Sequence, residues 1–174
     1  METILTLSSL AIISLYVGVM ISKEGIPSSV SATYYSLRHN FWFGFTMLST
    51  AGLLMPAILD KTPEEFQFTA FLACVGMILV GVAPNFKEEF ERKIHTSGAV
   101  LTIGFSQVWV GCMNPWYLIT WVGYIIYSMI STEKNWNGNF IESFKGTNPL
   151  FWVEIVALFR SEERRVGKEC RSRW

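Results

Sequence analysis

One acidic residue, Glu154, lies well inside an apolar block, within the stretch Phe151 to Val156. A carboxylate at membrane depth costs several kcal/mol when it is charged and unpaired, so such residues face a bundle interior and often mark an ion or proton path. Glu154 is therefore a candidate for a polar cavity between helices. A purely structural role is also open. Glu154 lies only about 9 Å beyond the predicted helix start at Asn148. At that depth its side chain could reach the membrane–water interface, or it could accept a hydrogen bond from a tyrosine or tryptophan.

Two further polar residues, Ser106 and Gln107, occupy the middle of the fourth apolar block. A glutamine there can bridge two helices through its amide, which contributes on the order of 1 kcal/mol. Alternatively, Ser106 and Gln107 could line the polar cavity opposite Glu154. The sequence leaves both interpretations open.

A second candidate site is the hydroxyl-rich segment between the first two apolar blocks, which could hold a lipid headgroup or place a nucleophile. Its candidate residues, with both histidines of the chain, are Ser28, Ser31, Thr33, Tyr34, Tyr35, His39 and His95. Serine catalysis needs a positioned base and an oxyanion donor, and no neighbouring residue in the sequence supplies either. We therefore assign no catalytic residue here.

These serines and histidines, taken with Asp60, resemble the sites of membrane-embedded metal hydrolases related to ceramidases and seven-helix receptors. Two observations argue against that chemistry. Asp60 follows the second helix and would lie about 30 Å away on the opposite membrane face. Catalytic zinc takes three protein ligands, and the chain has two histidines. We therefore predict no metal and no cofactor.

Sequence signatures of soluble chemistry and of nucleic-acid binding are also missing. The chain has no phosphate-binding loop, dinucleotide glycine motif, HExxH or GxSxG. Cys74 and Cys112 lie in apolar stretches without a spacing partner, which disfavours a disulfide framework. The lipid bilayer is the expected partner, and the sequence predicts no binding to nucleic acids.

Long apolar blocks must position the candidate residues. A helix rises about 1.5 Å per residue, so about 20 apolar residues cross one hydrocarbon layer. The blocks predict spans at about 3–22, 41–59, 66–84, 96–113 and 115–131, and an eleven-residue block at 149–159 that is too short to cross. The expected fold class is an all-α integral membrane bundle with five complete transmembrane helices and a truncated sixth.

Three start signals and one charged cluster divide these blocks. Thr62-Pro63 before Glu65 predicts a capping box, and Asn114-Pro115 and Asn148-Pro149 predict capped helix starts. We expect the charged residues 87–93 to form a solvated turn.

Positive charge predicts the orientation of the bundle. Of the eight Lys and Arg before residue 160, seven lie in the first, third and fifth connections, which should face the cytoplasm. Both native termini would then lie outside. Most tryptophans, including Trp42, Trp109 and Trp116, fall near block ends, where interfacial anchors occur.

The last fifteen residues, 160–174, differ in character from the rest of the chain. They resemble a translated sequencing adapter codon for codon, so we expect the natural gene to diverge after Phe159. They supply six of the fourteen Lys and Arg and three of the fourteen Asp and Glu. We therefore treat them as a non-native tail in the charge analysis.

Three strings carry a family resemblance: IPSSVSATYYSL from Ile26, EFQFTAFLACVGMILVGVAPNFK from Glu65, and IHTSGA followed by SQVW between Ile94 and Trp109. The chain resembles a family of small six-span proteins of unknown function from gut bacteria and their phages. The resemblance covers most of residues 1–159 and implies a six-helix architecture in the bacterial inner membrane, with a sixth helix that continues. It implies no catalytic residues.

Two function classes follow from the sequence. The first is a small membrane carrier or accessory factor with Glu154, Gln107 and Ser106 around a polar cavity. The second is a membrane-embedded lipid-modifying hydrolase that uses the Ser28 to Tyr35 segment with His39 and His95. A structural or partner-binding membrane protein is the remaining alternative. The first needs the fewest coincidences, so the sequence favours a protein that is not an enzyme.

Overall fold

A computed structural model describes residues 2–36, 41–83, 88–134, 136, 138–149 and 151–157. These residues form helices and short connections, without a strand in the described ranges. His39, the end of the sixth block and the predicted non-native tail lie outside them.

Seven α-helices lie in the described part of the chain. They are α1 Glu2–Glu24, α2 Thr33–Ser36, α3 Phe41–Lys61, α4 Glu64–Val82, α5 Glu88–Met113, α6 Ile119–Lys134 and α7 Phe140–Lys145. A 3-10 helix, Pro115–Leu118, precedes α6, and residues 151–157 are also helical. The all-α class predicted from the sequence is confirmed.

Consecutive long helices pack in order, α1 on α3, α3 on α4 and α4 on α5. The start of α3 meets the end of α4 at Gly44 and Gly81, and the other ends meet at Ile58 and Ala70. This pattern makes α3 and α4 antiparallel, as the two-residue connection between them requires. Phe151 joins the core around Phe43, so the C-terminal helical segment 151–157 packs inside the bundle.

Helices α4 and α5 approach most closely where both lack side chains. A Cβ added at Gly76 would lie 2.5 Å from the Thr102 nitrogen, and one at Gly98 would lie 2.8 Å from the Gly76 oxygen. Small residues allow this backbone contact. The contact therefore joins Gly76 on α4 to Gly98 and Thr102 on α5.

Among the described residues, three helices are long and apolar enough to cross a membrane: Thr3–Lys23, Phe41–Lys61 and Glu64–Val82. The fourth and fifth predicted spans do not meet the same criterion. In α5 the polar Ser106 and Gln107 interrupt the apolar stretch, and α6 has only 16 residues because Pro115–Leu118 is a 3-10 helix.

Polar and apolar side chains are distributed against the pattern of a water-soluble bundle. Ser9 and Thr50 are buried where α1 meets α3, and the Ser9 hydroxyl donates to the Thr50 carbonyl oxygen at 3.2 Å. Helix α6 buries Ser128 and Thr132. Its exposed large apolar side chains include Ile119, Val122, Ile125, Ile126, Met129 and Ile130. The apolar surface of this helix therefore faces away from the protein.

Two local predictions at helix starts had different outcomes. Asn114 caps the next helix as predicted, because its side-chain oxygen accepts from the Trp116 amide at 3.3 Å. The capping box at Thr62 was wrong: α4 begins at Glu64 after Pro63, without a side-chain cap. The Thr62 hydroxyl instead donates to the Ile58 carbonyl oxygen, one turn back in α3, at 2.7 Å.

The predicted turn at the charged cluster was also wrong for the residues that are described. Helix α5 begins at Glu88 and runs through Arg92 and Lys93 into the apolar stretch. Arg92 and Lys93 are exposed. Helix-favouring Glu, Arg and Lys continue the helix into solvent without a cost in burial, so the charges extend α5 instead of ending it.

Candidate functional site

The Glu154 carboxylate lies against the connection between α1 and α2, and three donors converge on it. They are the backbone amide of Val30 and both the backbone amide and the hydroxyl of Ser31. The Ser29 hydroxyl is within 3.1 Å of the Ser31 hydroxyl and accepts from the Ala32 amide. Three donors on one carboxylate fix its position.

A second contact ties the same two segments together. The Asn148 side-chain amide donates to the Ile26 carbonyl oxygen at 3.3 Å. Asn148 has a φ of 50°, in the left-handed region that asparagine tolerates better than most residues. Two residues therefore attach the C-terminal part of the chain to the first connection: Glu154, in the C-terminal segment, and Asn148, just before it.

A cavity of about 50 Å³ lies beside the carboxylate, and we call it the Glu154 cavity. Its polar side chains come from Glu154, Ser31, His95 and Thr102. Its apolar lining includes Val30, Phe43, Met47, Met77, Val80, Ala99, Ile103 and Ala157. The structure thus places Glu154 of the first predicted site together with Ser31 and His95 of the second.

A smaller cavity of about 20 Å³ lies further along α4 and α5, and we call it the Trp109 cavity. It is lined by Trp109, Ser106 and Cys74 among others, and it shares Met77, Thr102 and Ala157 with the Glu154 cavity. The two cavities are therefore neighbours, separated by side chains that line both of them.

His95 precedes the fourth predicted span and is half-buried. Burial lowers the pKa of the His95 imidazole from its ordinary value of 6.5, and the charge of Glu91 acts in the opposite direction. Glu91 lies four residues earlier on α5, hence on the same helix face. The neutral imidazole is favoured near neutral pH, and it can accept a proton.

Gln107 lies elsewhere, between α5 and α6. Its side-chain oxygen accepts from the Trp121 indole at 2.8 Å, and its amide nitrogen lies 3.3 Å from the Ser106 hydroxyl. The Ser106 hydroxyl also donates to the Ile103 carbonyl oxygen at 3.0 Å. In this arrangement Gln107 connects two helices, whereas Ser106 lines the Trp109 cavity.

The remaining candidates of the hydroxyl-rich segment are spread over several environments. Ser28 is exposed, whereas Thr33 is buried and donates to the Val30 carbonyl oxygen. Tyr34 packs on Phe43 with ring centroids 6.1 Å apart. The side chain of Tyr35 and all of His39 lie outside the described residues.

Asp60 and the Glu154 cavity lie near opposite ends of α3. Asp60 is exposed near the C-terminal end of α3, whereas the Glu154 cavity adjoins Phe43 near its N-terminal end. Within the ranges the structure describes, no group of three His, Cys, Asp or Glu side chains could hold a metal ion.

Sequence reasoning missed Thr102 and Asn148 as parts of this site. Thr102 is seven residues after His95, two helical turns along the same face of α5, so helical spacing could have found it. No local signal links Asn148 to Ile26, because they are 122 residues apart.

No family model, curated protein or solved structure matches this chain. The resemblance to six-span proteins of gut bacteria and phages therefore stays a prediction.

Proposed function

We propose that this chain is a multi-pass membrane protein of the bacterial inner membrane and acts as a small carrier, with Glu154 in its central polar site. Three helices of spanning length and the outward apolar face of α6 support membrane insertion. The 3-10 helix and α6 together rise about 32 Å, enough for a fifth span. Helix α5, with Gln107 turned toward Trp121 of α6, would provide the fourth.

The observation that carries the carrier function is the pair of neighbouring cavities. The Glu154 cavity, with its half-buried carboxylate, and the adjoining Trp109 cavity form a chain of voids between α3, α4 and α5. Ionisable groups inside membrane bundles commonly belong to such pathways. The volume of about 50 Å³ suits an ion or a few waters and is too small for a typical metabolite.

A direct test uses the chain reconstituted in vesicles that contain dyes for H⁺, Na⁺ or K⁺. A gradient of at least one of these ions should dissipate faster with the protein than without it, and Glu154→Gln should abolish the difference. Glu142→Gln is the matched control, because Glu142 is an exposed carboxylate on α7. If wild-type vesicles hold all three gradients, the carrier function is wrong.

The proposed orientation has its own test in a background in which Cys74, Cys112 and Cys170 are replaced by serine. Single cysteines at Lys61, Lys93 and Lys134, all exposed, report on the second, third and fifth connections. A membrane-impermeant maleimide should label Lys61→Cys in intact cells and the other two only after lysis. Equal labelling of all three before lysis would contradict the five-span topology.

A lipid-modifying hydrolase is the second candidate, since Ser31, His95 and Glu154 line one cavity. The hydrogen-bond partners of Ser31 disfavour it. The Ser31 hydroxyl bonds to Glu154 and Ser29, whereas a nucleophilic serine should bond to a histidine. Turnover of phosphatidylglycerol that disappears in both Ser31→Ala and His95→Ala would favour the hydrolase over the carrier.

A further inference from the structure

We propose that the ion handled in the Glu154 cavity is a proton, which moves between the His95 imidazole and the Glu154 carboxylate through water in the cavity. This inference rests on the proposed carrier function and names the class of its substrate. Its residues come from separate parts of the chain, α5 and the C-terminal segment.

The groups around the carboxylate discriminate against metal cations. Three donors of the first connection point at the Glu154 carboxylate, namely two backbone amides and the Ser31 hydroxyl. A Na⁺ or K⁺ ion needs lone pairs from carbonyl, hydroxyl or carboxylate oxygens, and an amide N–H directs its positive hydrogen toward the ion. A proton, by contrast, needs only one free lone pair of the carboxylate.

The cavity has the size and the polar groups that a water chain needs. A cavity needs about 10–15 Å³ to hold a water, so the Glu154 cavity, at about 50 Å³, has room for a few waters. Glu154, Ser31, Thr102 and His95 supply partners for them. The lining residues from α3 and α4, such as Met47, Met77 and Val80, are apolar and offer the proton no competing site.

The proposed transfer is balanced in atoms and charge. An N–H bond of the His95 imidazolium breaks and leaves a neutral imidazole, while an O–H bond forms on the Glu154 carboxylate and leaves a neutral carboxyl group. Cavity water passes the proton between them. Glu91, on the same face of α5, is the carboxylate that favours the protonated form of His95 before the transfer.

The experiment measures proton entry into vesicles of phosphatidylethanolamine and phosphatidylglycerol that contain the full chain and the pH dye pyranine. A K⁺ diffusion potential set by valinomycin drives the flux. We expect His95→Ala and Glu154→Gln each to lower the proton rate at least tenfold, and the double variant to fall no further. The controls Thr96→Ala and Glu142→Gln change exposed side chains and should keep the wild-type rate.

Three further measurements make failure interpretable. Glu154→Asp keeps an ionisable group and should retain part of the flux, and His95→Gln should lose it while keeping side-chain volume; melting curves report whether each variant is folded. Proton flux unaffected by His95→Ala and His95→Gln would overturn the relay and leave the Glu154 site standing. If the wild type conducts sodium and Glu154→Gln abolishes that flux, the proposal that the ion is a proton is wrong, whereas the proposed carrier function stands.

Discussion

The Trp109 indole donates a hydrogen bond to the Thr62 hydroxyl at 3.0 Å, joining α5 to the residue that follows α3. Trp109 was grouped with interfacial anchors in the sequence, yet its side chain is only 6% exposed. An indole N–H in a bundle interior needs an acceptor. Thr62, which donates its own hydrogen to the Ile58 carbonyl oxygen, has its hydroxyl lone pairs available for that role.

Removing either partner of this bond should destabilise the protein. Thr62→Val leaves the buried indole N–H unpaired, which costs about 1–3 kcal/mol, and Trp109→Phe loses the same bond together with packing. The double variant should cost less than the sum of the two. Melting in detergent measures all three; Trp116→Phe, at a position that is 78% exposed, is the control and should melt like the wild type. Strict additivity would mean that the bond contributes nothing.

The closest approach of α4 and α5 supplies the second prediction. Gly98→Ala places a Cβ 2.8 Å from the Gly76 oxygen and 2.9 Å from the Val80 nitrogen, so the helices must separate. Overpacking of this kind costs about 1–3 kcal/mol. Gly104→Ala, on the same helix with no atom within 4 Å of the new Cβ, should leave stability unchanged or raise it by up to about 1 kcal/mol. Similar melting of the two variants would contradict the contact.

The attachment of the C-terminal segment to the first connection supplies the third. Ser31→Ala removes one of the three donors to Glu154, and a hydrogen bond to a charged group contributes about 1.5–3 kcal/mol. Because the bond joins residues far apart in sequence, its loss should free the C-terminal segment first. Protease cleavage near Asn148 should therefore accelerate in Ser31→Ala. Ser28→Ala, which alters an exposed hydroxyl of the same segment, should be cut at the wild-type rate.

The sequence predicted the helical class and the approximate positions of the long helices, because apolar blocks and proline-bearing starts are local signals. It did not predict the partners of Glu154, Gln107 or Trp109. Glu154 accepts hydrogen bonds from Val30 and Ser31. Gln107 accepts one from Trp121, and Trp109 donates one to Thr62. Which residues meet across a bundle depends on helix rotation and on close contacts such as that of Gly76 with Gly98, neither of which one sequence specifies.

The pH dependence of stability should reveal the buried state of His95. Its pKa in the folded protein lies below the ordinary 6.5, so between these two values the unfolded chain binds more protons than the folded one. Stability must then be present above pH 6.5 and decline as the pH falls through this range. Melting temperatures between pH 8 and pH 5 should fall further for the wild type than for His95→Gln, which carries no proton at this position. Parallel curves for the two proteins would mean that His95 is solvated in the folded state.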